Sequence, residues 1–477
     1  MRKKPDLTTG AIGPALIAFA VPTLLSSVLQ SLQGSINAIW VGRFLGEEAL
    51  AATSNANLIL FLTMAFVFGF GMAATILVGQ AYGRRDLDQV RRVIGTVTGA
   101  LVIVSVPLAL LGWVFAPQLL ALLGLAPAAM ESALAYLRVI FLAIPPAMMM
   151  VMLMMSLRGT GDAMTPLFAM LLAAVVDCGL NPLLILGVGP FPEMGIAGAA
   201  TASVTANLVC LTGMLVYIYA RDLPVRLRGA ELKYLRPDPV LVRRILGMGL
   251  PMGMQMIVLS LASLAMLGLV NREGVDTTAA FGVALQLWTY IQMPAMALSA
   301  AVSAMAAQNI GAGKWDRLGR ITGHGVVFNI AMTGVLVALL ALADRPALEL
   351  FLGGDSPAVP IAQHLQLIAT WSFVLSGVTI VLFGVARANS AVWAPLVILA
   401  ITMFPIRIGF AIGARGWLGA DAIWFAFPLS SAVSLAMAAG YYRWGGWRNK
   451  RMPIGREAAI EQANATLEPE GRTTPSG

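Results

Sequence analysis

Asp177, Asn181 and Pro182 sit together in an apolar run from about Met164 to Leu186 and carry the clearest chemistry in the chain. Asp177 is the only Asp or Glu in the interior of a membrane-length apolar segment; the other acids lie at a span end, in connections or in tails. A carboxylate at the centre of a bilayer costs at least about 2.5–3.5 kcal/mol, so such a group faces protein or water and usually has a task. Asp177 and Asn181 are four apart and share one helix face. Pro182 has no N–H, so the Cys178 carbonyl loses its helical partner. A carboxylate, an amide and a freed carbonyl make a small site for a proton or a cation. The plainer alternative is a structural acid paired with a neighbouring amide.

Other polar residues fall at helical spacing. Ser26, Gln30, Gln33 and Asn37 form one stripe, and Ser203 and Asn207 a similar pair. Such stripes either line a cavity or hold helices together. Gln255, Gln286 and Gln292 are candidates for the far wall of a cavity, and Asn57 stands 229 residues before Gln286. Trp288 and Tyr290 offer aromatic faces to an organic cation. Met148, Met149, Met150, Met152, Met154 and Met155 suit either an adaptable wall or simple packing. Arg158 and Arg387 read as helix-end residues that fix topology; Arg407, within a span, reads as snorkelling or paired. Gly159-Thr-Gly-Asp lacks the length and the Lys of a phosphate loop. With no metal-ligand cluster and no nucleophile beside a base, neither an enzyme nor a cofactor is expected.

The elements that must position these residues are membrane spans. Of 477 residues, 58% are hydrophobic and 11% charged, with mean hydropathy +0.82; soluble domains carry about 25% charge. The net charge of +8 is dispersed between apolar segments, which argues against nucleic acid as a partner. The basic start runs into a full span without a cleavage site, so no removed signal peptide is expected. At about 20 apolar residues per crossing, twelve spans are expected: 14–38, 51–79, 93–115, 134–157, 164–187, 195–220, 242–270, 278–306, 321–343, 361–385, 393–413 and 420–442. One set of connections holds 25 Lys and Arg and the opposite set 4, which predicts both termini in the cytoplasm. The halves repeat: Pro22 with Pro251, Arg158 with Arg387 and Pro166 with Pro395 are each 229 apart, and Gln80 with Gln308 is 228 apart. The expected organisation is a terminus 1–13, a six-helix lobe 14–220, a linker 221–241, a second six-helix lobe 242–442 and a polar tail 443–477. The fold class is an all-α integral membrane protein with a 6+6 parallel repeat and a cavity between two bundles.

On these residues the chain resembles the multidrug and toxic compound extrusion (MATE) family. The matching stretches include Asn37-Ala-Ile-Trp-Val-Gly-Arg-Phe-Leu-Gly, Gly79-Gln-Ala-Tyr-Gly, Leu157-Arg-Gly-Thr-Gly-Asp-Ala-Met-Thr-Pro, Gly195-Ile-Ala-Gly-Ala-Ala and Gln308-Asn-Ile-Gly-Ala-Gly. The likeness covers about residues 10–445 and leans to the family's DNA-damage-inducible branch. It implies a V-shaped secondary antiporter, a monomer in the bacterial inner membrane, exporting cationic, amphipathic xenobiotics against Na⁺ or H⁺. The carried-over ion site is Asn37, Asp177, Asn181 and a span-6 hydroxyl, Ser203 before Thr201. Asn37 stands where the family has an acid, and the span-5 Asp and Asn are in reversed order. One negative charge remains, which favours H⁺; if Na⁺ is the coupling ion, Asp177 and Asn181 ligate it. The substrate set is Gln30, Gln33, Asn57, Asn207, Gln255, Gln286, Trp288 and Gln292. The alternative, a flippase for lipid-linked precursors, calls for a basic cavity.

Overall fold

The structure is a computed structural model that describes residues 7–122, 127–188 and 191–449; within these, the side chains of 45–64 and of 38, 42, 122, 127–129 and 132 lie outside the description. Among the described residues the regular structure is all helical. The first lobe comprises α1 (Ile12–Gly83), α2 (Leu87–Leu122), α3 (Pro127–Gly159), α4 (Met164–Leu186) and α5 (Gly195–Ala220). The second comprises α6 (Pro239–Val270), α7 (Val275–Gly311), α8 (Asp316–Leu342), a short α9 (Asp344–Leu352), α10 (Ala358–Ala369), α11 (Ser372–Ala388), α12 (Trp393–Ile401), α13 (Gly409–Gly413), α14 (Arg415–Leu418) and α15 (Asp421–Trp444).

α1 is helical over 72 residues, yet it crosses twice. A straight helix of that length reaches about 108 Å at 1.5 Å per residue. Its two ends nevertheless meet the same neighbour: the Leu7 carbonyl, just before it, accepts from Asn309, and a Cβ on Gly83 would overlap the Gln308 carbonyl. Val41 and Val67 share one far cluster with Leu120 and Phe141. The chain therefore goes out and comes back, giving the first two expected spans.

Eleven described helices are long and apolar enough to cross a membrane, or twelve if a bent pair is one span. That pair corrects the uniform span expected over 361–385. α10 and α11 meet at 47°, because the chain breaks at Thr370 and Trp371. The next span is also irregular. Between α12 and α13 lies a π-helical turn, Thr402–Ile408, with Pro405 inside it. Proline removes a backbone donor, and a π-turn accommodates the extra residue.

The repeat shows in the contacts between lobes. Gln80 Nε2 donates to the Ala388 carbonyl at 2.7 Å, and Gln308 Nε2 donates to the Gly159 carbonyl at 2.9 Å. A Cβ on Gly311 would overlap the Gln80 carbonyl, mirroring Gly83 on Gln308. The lobes thus close on each other at the end that carries Leu7, Gly83 and Gly311. The connection between lobes is docked rather than loose. Tyr234 donates to Asp88 Oδ1 at 2.6 Å, Arg91 pairs with Glu231 at 2.5 Å, and Arg92 with Asp238 at 3.2 Å.

Candidate functional site

The buried face of α4 reads Pro166, Ala169, Met170, Ala173, Asp177, Asn181, Leu184 and Ile185. Steps of three and four keep Asp177 and Asn181 on one stripe, and both side chains are fully buried. α5 comes close enough to serve them because its start is built from small residues. Gly198 lies where a Cβ would overlap the Leu184 carbonyl, and Ala199, Ala200 and Ala202 are buried behind it. That approach lets Ser203 Oγ donate to Asp177 Oδ1 at 2.8 Å. Thr201 turns its hydroxyl back onto the Ala197 carbonyl of its own helix.

Asn181 Nδ2 donates to the Asp177 backbone carbonyl at 3.2 Å. Gln33 of α1 approaches the Asp177 carboxyl. Tyr136 of α3 lies near that carboxyl and reaches the Asn37 side chain. Three buried oxygens here have no hydrogen-bond partner among the described residues: Asp177 Oδ2, Asn181 Oδ1 and Asn37 Oδ1. An unpartnered buried acceptor is costly. Three of them, one belonging to a carboxyl, suit a proton or a small hard cation as guest. Among the described residues no group of three or more His, Cys, Asp or Glu is placed to hold a metal ion. Tyr136 was not foreseen from sequence; an isolated Tyr among apolar residues gives no hint of the carboxyl it will meet.

The other expected substrate residues divide. Gln255 and Gln292 line a cavity of about 1170 Å³, counting the part open to solvent. Trp288 does not. Its ring is enclosed by Phe281, Phe373 and Phe427, and its Nε1 donates to Thr370 at 2.9 Å. Gln286 is exposed and donates to the Tyr290 hydroxyl. Gln30 is exposed, and Gln33 and Asn207 are half-buried. The Asn57 side chain lies outside the described residues. In α3, Met148, Met150, Met152 and Met154 are buried in core packing, and Met155 lines the recess beside Arg158.

The cavity holds a second surprise. Its wall carries Met72, Met252, Met256, Met296 and Met403, and two arginines, Arg387 and Arg407, with no Asp or Glu among the described residues. A smaller adjoining recess shares Phe68, Met72, Met296 and Ala300 with it and is lined by Arg158. Arg407 Nε donates to Ser430 Oγ at 2.8 Å while its guanidinium lies 4.6 Å from the Phe427 ring centre. Arg387 donates to the Phe383 carbonyl and to Ser299. Arg158 and Arg387 thus do more than mark helix ends. The sequence signal was there: an offset of 229 takes Asp177 to Ile406, one place before Arg407.

Two helical lobes related by a repeat, a cavity lined from both and a fully buried carboxyl within a membrane span define a membrane secondary transporter rather than an enzyme. The chain belongs to the MatE family of multidrug efflux transporters, which matches residues 22–183 and 251–412. It is 35% identical over 436 residues to the probable multidrug resistance protein YoeA of Bacillus subtilis (strain 168), covering 91% of this chain and 94% of that protein. It is 29% identical over 451 residues to the probable multidrug resistance protein YpnP of the same organism, covering 94% and 99%. A crystal structure of MATE in complex with MaD3S superposes with a TM-score of 0.84 at 20% identity, over 94% of this chain and 98% of that one.

Proposed function

We propose that this chain is a proton-coupled efflux antiporter for amphipathic xenobiotics, a monomer of the bacterial inner membrane with both termini in the cytoplasm. The observation that carries the reading is Asp177: buried, fixed through Oδ1 by Ser203, and left without a partner at Oδ2. A proton on Oδ2 removes the buried charge and turns that unpartnered oxygen into a donor. Na⁺ would instead rely on one carboxylate and the neutral oxygens of Asn181 and Asn37. Coupling requires that the ion favour one arrangement of the lobes over the other, since equal affinity shifts no equilibrium. Asp177 on α4, beside α1, α3 and α5, is placed to change the packing of the first lobe when its charge is cancelled.

The test is flux of an amphipathic dye in proteoliposomes under an imposed pH or Na⁺ gradient, for the wild type and Asp177→Asn. Drive by the pH gradient alone, lost in the variant, is the expected result. Drive by Na⁺ alone would replace the proton, and full flux in Asp177→Asn would remove the carboxyl from the mechanism.

A further inference from the structure

Arg387 and Arg407 line a cavity walled mainly by the second lobe, Arg158 lines the adjoining recess between the lobes, and among the described residues no carboxylate lines either. Arg387 and Arg407 take hydrogen bonds only to hydroxyls and a backbone carbonyl, and neither makes an ion pair among the described residues. Unpaired guanidinium in a largely apolar wall is costly unless an anion or water answers it. Both are held in place, Arg407 by Ser430 and the Phe427 ring, Arg387 by Ser299 and its own helix. Hydroxyls of Ser376, Thr379, Ser431 and Ser434 share the wall. This donor set fits the oxygens of a phosphate or carboxylate, which guanidinium forks bind with two parallel hydrogen bonds. The methionine and phenylalanine walls fit an apolar body attached to it. A cationic cargo would meet like charge at Arg387 and Arg407 and no opposite charge in the described lining.

We propose that this second-lobe cavity binds the anionic group of the cargo, a phosphate or carboxylate on an apolar or aromatic body, through Arg387 and Arg407. This rests on the exporter reading above and assigns its substrate class. Binding at equilibrium needs no gradient, so its failure is separable from failure of the coupling role of Asp177.

The experiment uses the full chain in phosphatidylcholine nanodiscs and two fluorescent probes with one ring system, riboflavin and riboflavin 5′-phosphate. The phosphate form is expected to bind about tenfold or more tightly than riboflavin, as charge-assisted bonds to guanidinium imply. Arg407→Gln and Arg387→Gln should each erase most of that preference while leaving riboflavin binding in place, which also shows that the variants are folded. Arg407→Lys should retain part of it, since charge survives but the fork does not. Equal affinity for the two probes in the wild type, or a phosphate preference that survives both Gln variants, overturns the proposal. Adding phosphatidylglycerol to the nanodisc separates the sources of anion. Loss of flavin phosphate binding through Arg407-dependent competition would make the occupant a lipid headgroup and overturn a soluble cargo.

Discussion

Gln80 and Gln308 make the same bond in opposite directions across the two lobes. Each side-chain amide reaches the carbonyl of the other lobe, Ala388 at 2.7 Å and Gly159 at 2.9 Å, and those two acceptors are 229 residues apart. Both glutamines are buried. The pair works as a latch with two identical halves. A transporter that alternates its access must break both bonds, so they contribute to one state of the cycle only.

Replacing either glutamine by Ala leaves a buried carbonyl without its donor, at about 1–3 kcal/mol. Opening at this end should therefore become several-fold to about a hundredfold more populated in Gln80→Ala and in Gln308→Ala. Hydrogen exchange of the segments around Gly159 and Ala388 reads this out. Faster exchange in both segments is expected from either single variant, because one opening motion frees both. Acceleration confined to the mutated contact would mean that the two bonds do not belong to one gate.

Ser203 and Thr201 are two residues apart on α5 but do different things, which gives a controlled comparison. Ser203 donates to the Asp177 carboxyl, whereas Thr201 bonds its own helix. A hydroxyl bond to a carboxylate contributes about 1.5–3 kcal/mol. It competes with the coupling ion for the ionised group, so Ser203→Ala should lower the ion concentration for half-maximal drive about tenfold and slow release. Thr201→Ala should change either quantity by less than about twofold. Flux against driving-ion concentration in proteoliposomes measures both, and equal effects would detach Ser203 from the ion site.

The carboxyl was legible because charge inside an apolar run is rare and the run is long. Asp177 and its turn-spaced Asn181 needed only hydropathy and helical period, and the resemblance supplied Ser203. The cavity-facing role of the arginines was missed for the opposite reason, although Arg158 and Arg387 do lie in the last turns of their helices. Lys and Arg at span ends are what orientation requires, so Arg158 and Arg387 looked fully explained before their direction was known. Trp288 misled because an aromatic ring on a helix carries no mark of whether it faces a cavity or three phenylalanines. The bend at Thr370 was invisible in a segment free of Pro or Gly at the break, where tertiary packing decides the geometry.

The linker should be dislodged by a single branched side chain placed on the helix beneath it. Gly99 of α2 lies where a Cβ would overlap the Leu235 carbonyl. Gly99→Val should lift Gly229–Leu235 away from α2 and break the Tyr234–Asp88 and Arg91–Glu231 contacts together. Limited proteolysis near Lys233 is expected to be slow in the wild type and fast in the variant. The Asp88 carboxylate holds the Tyr234 phenol above its ordinary range. A raised phenol stabilises docking below that range and loses the contribution as pH rises past it, so proteolysis at neutral pH should be insensitive to small pH changes. Cleavage equally slow in Gly99→Val would mean that the linker is held elsewhere.

Trp288 should behave as a structural residue of the second lobe and not as a cargo contact. Its ring lies 4.9 Å from Phe373, 5.0 Å from Phe427 and 6.2 Å from Phe281, centre to centre, and it is 1% exposed. Phe427 in turn supports the Arg407 guanidinium. Trp288→Ala removes a large buried ring and costs about 3–5 kcal/mol, so thermal unfolding in detergent should move down clearly. Trp288→Phe keeps the ring packing and loses only the bond to Thr370, about 1 kcal/mol. If Trp288 held cargo through its face, Phe would weaken binding of a cationic dye while stability stayed near wild type. The expected result is the reverse order: unchanged dye affinity in Trp288→Phe, a modest loss of stability, and in Trp288→Ala a large loss of stability with a disordered Arg407 site.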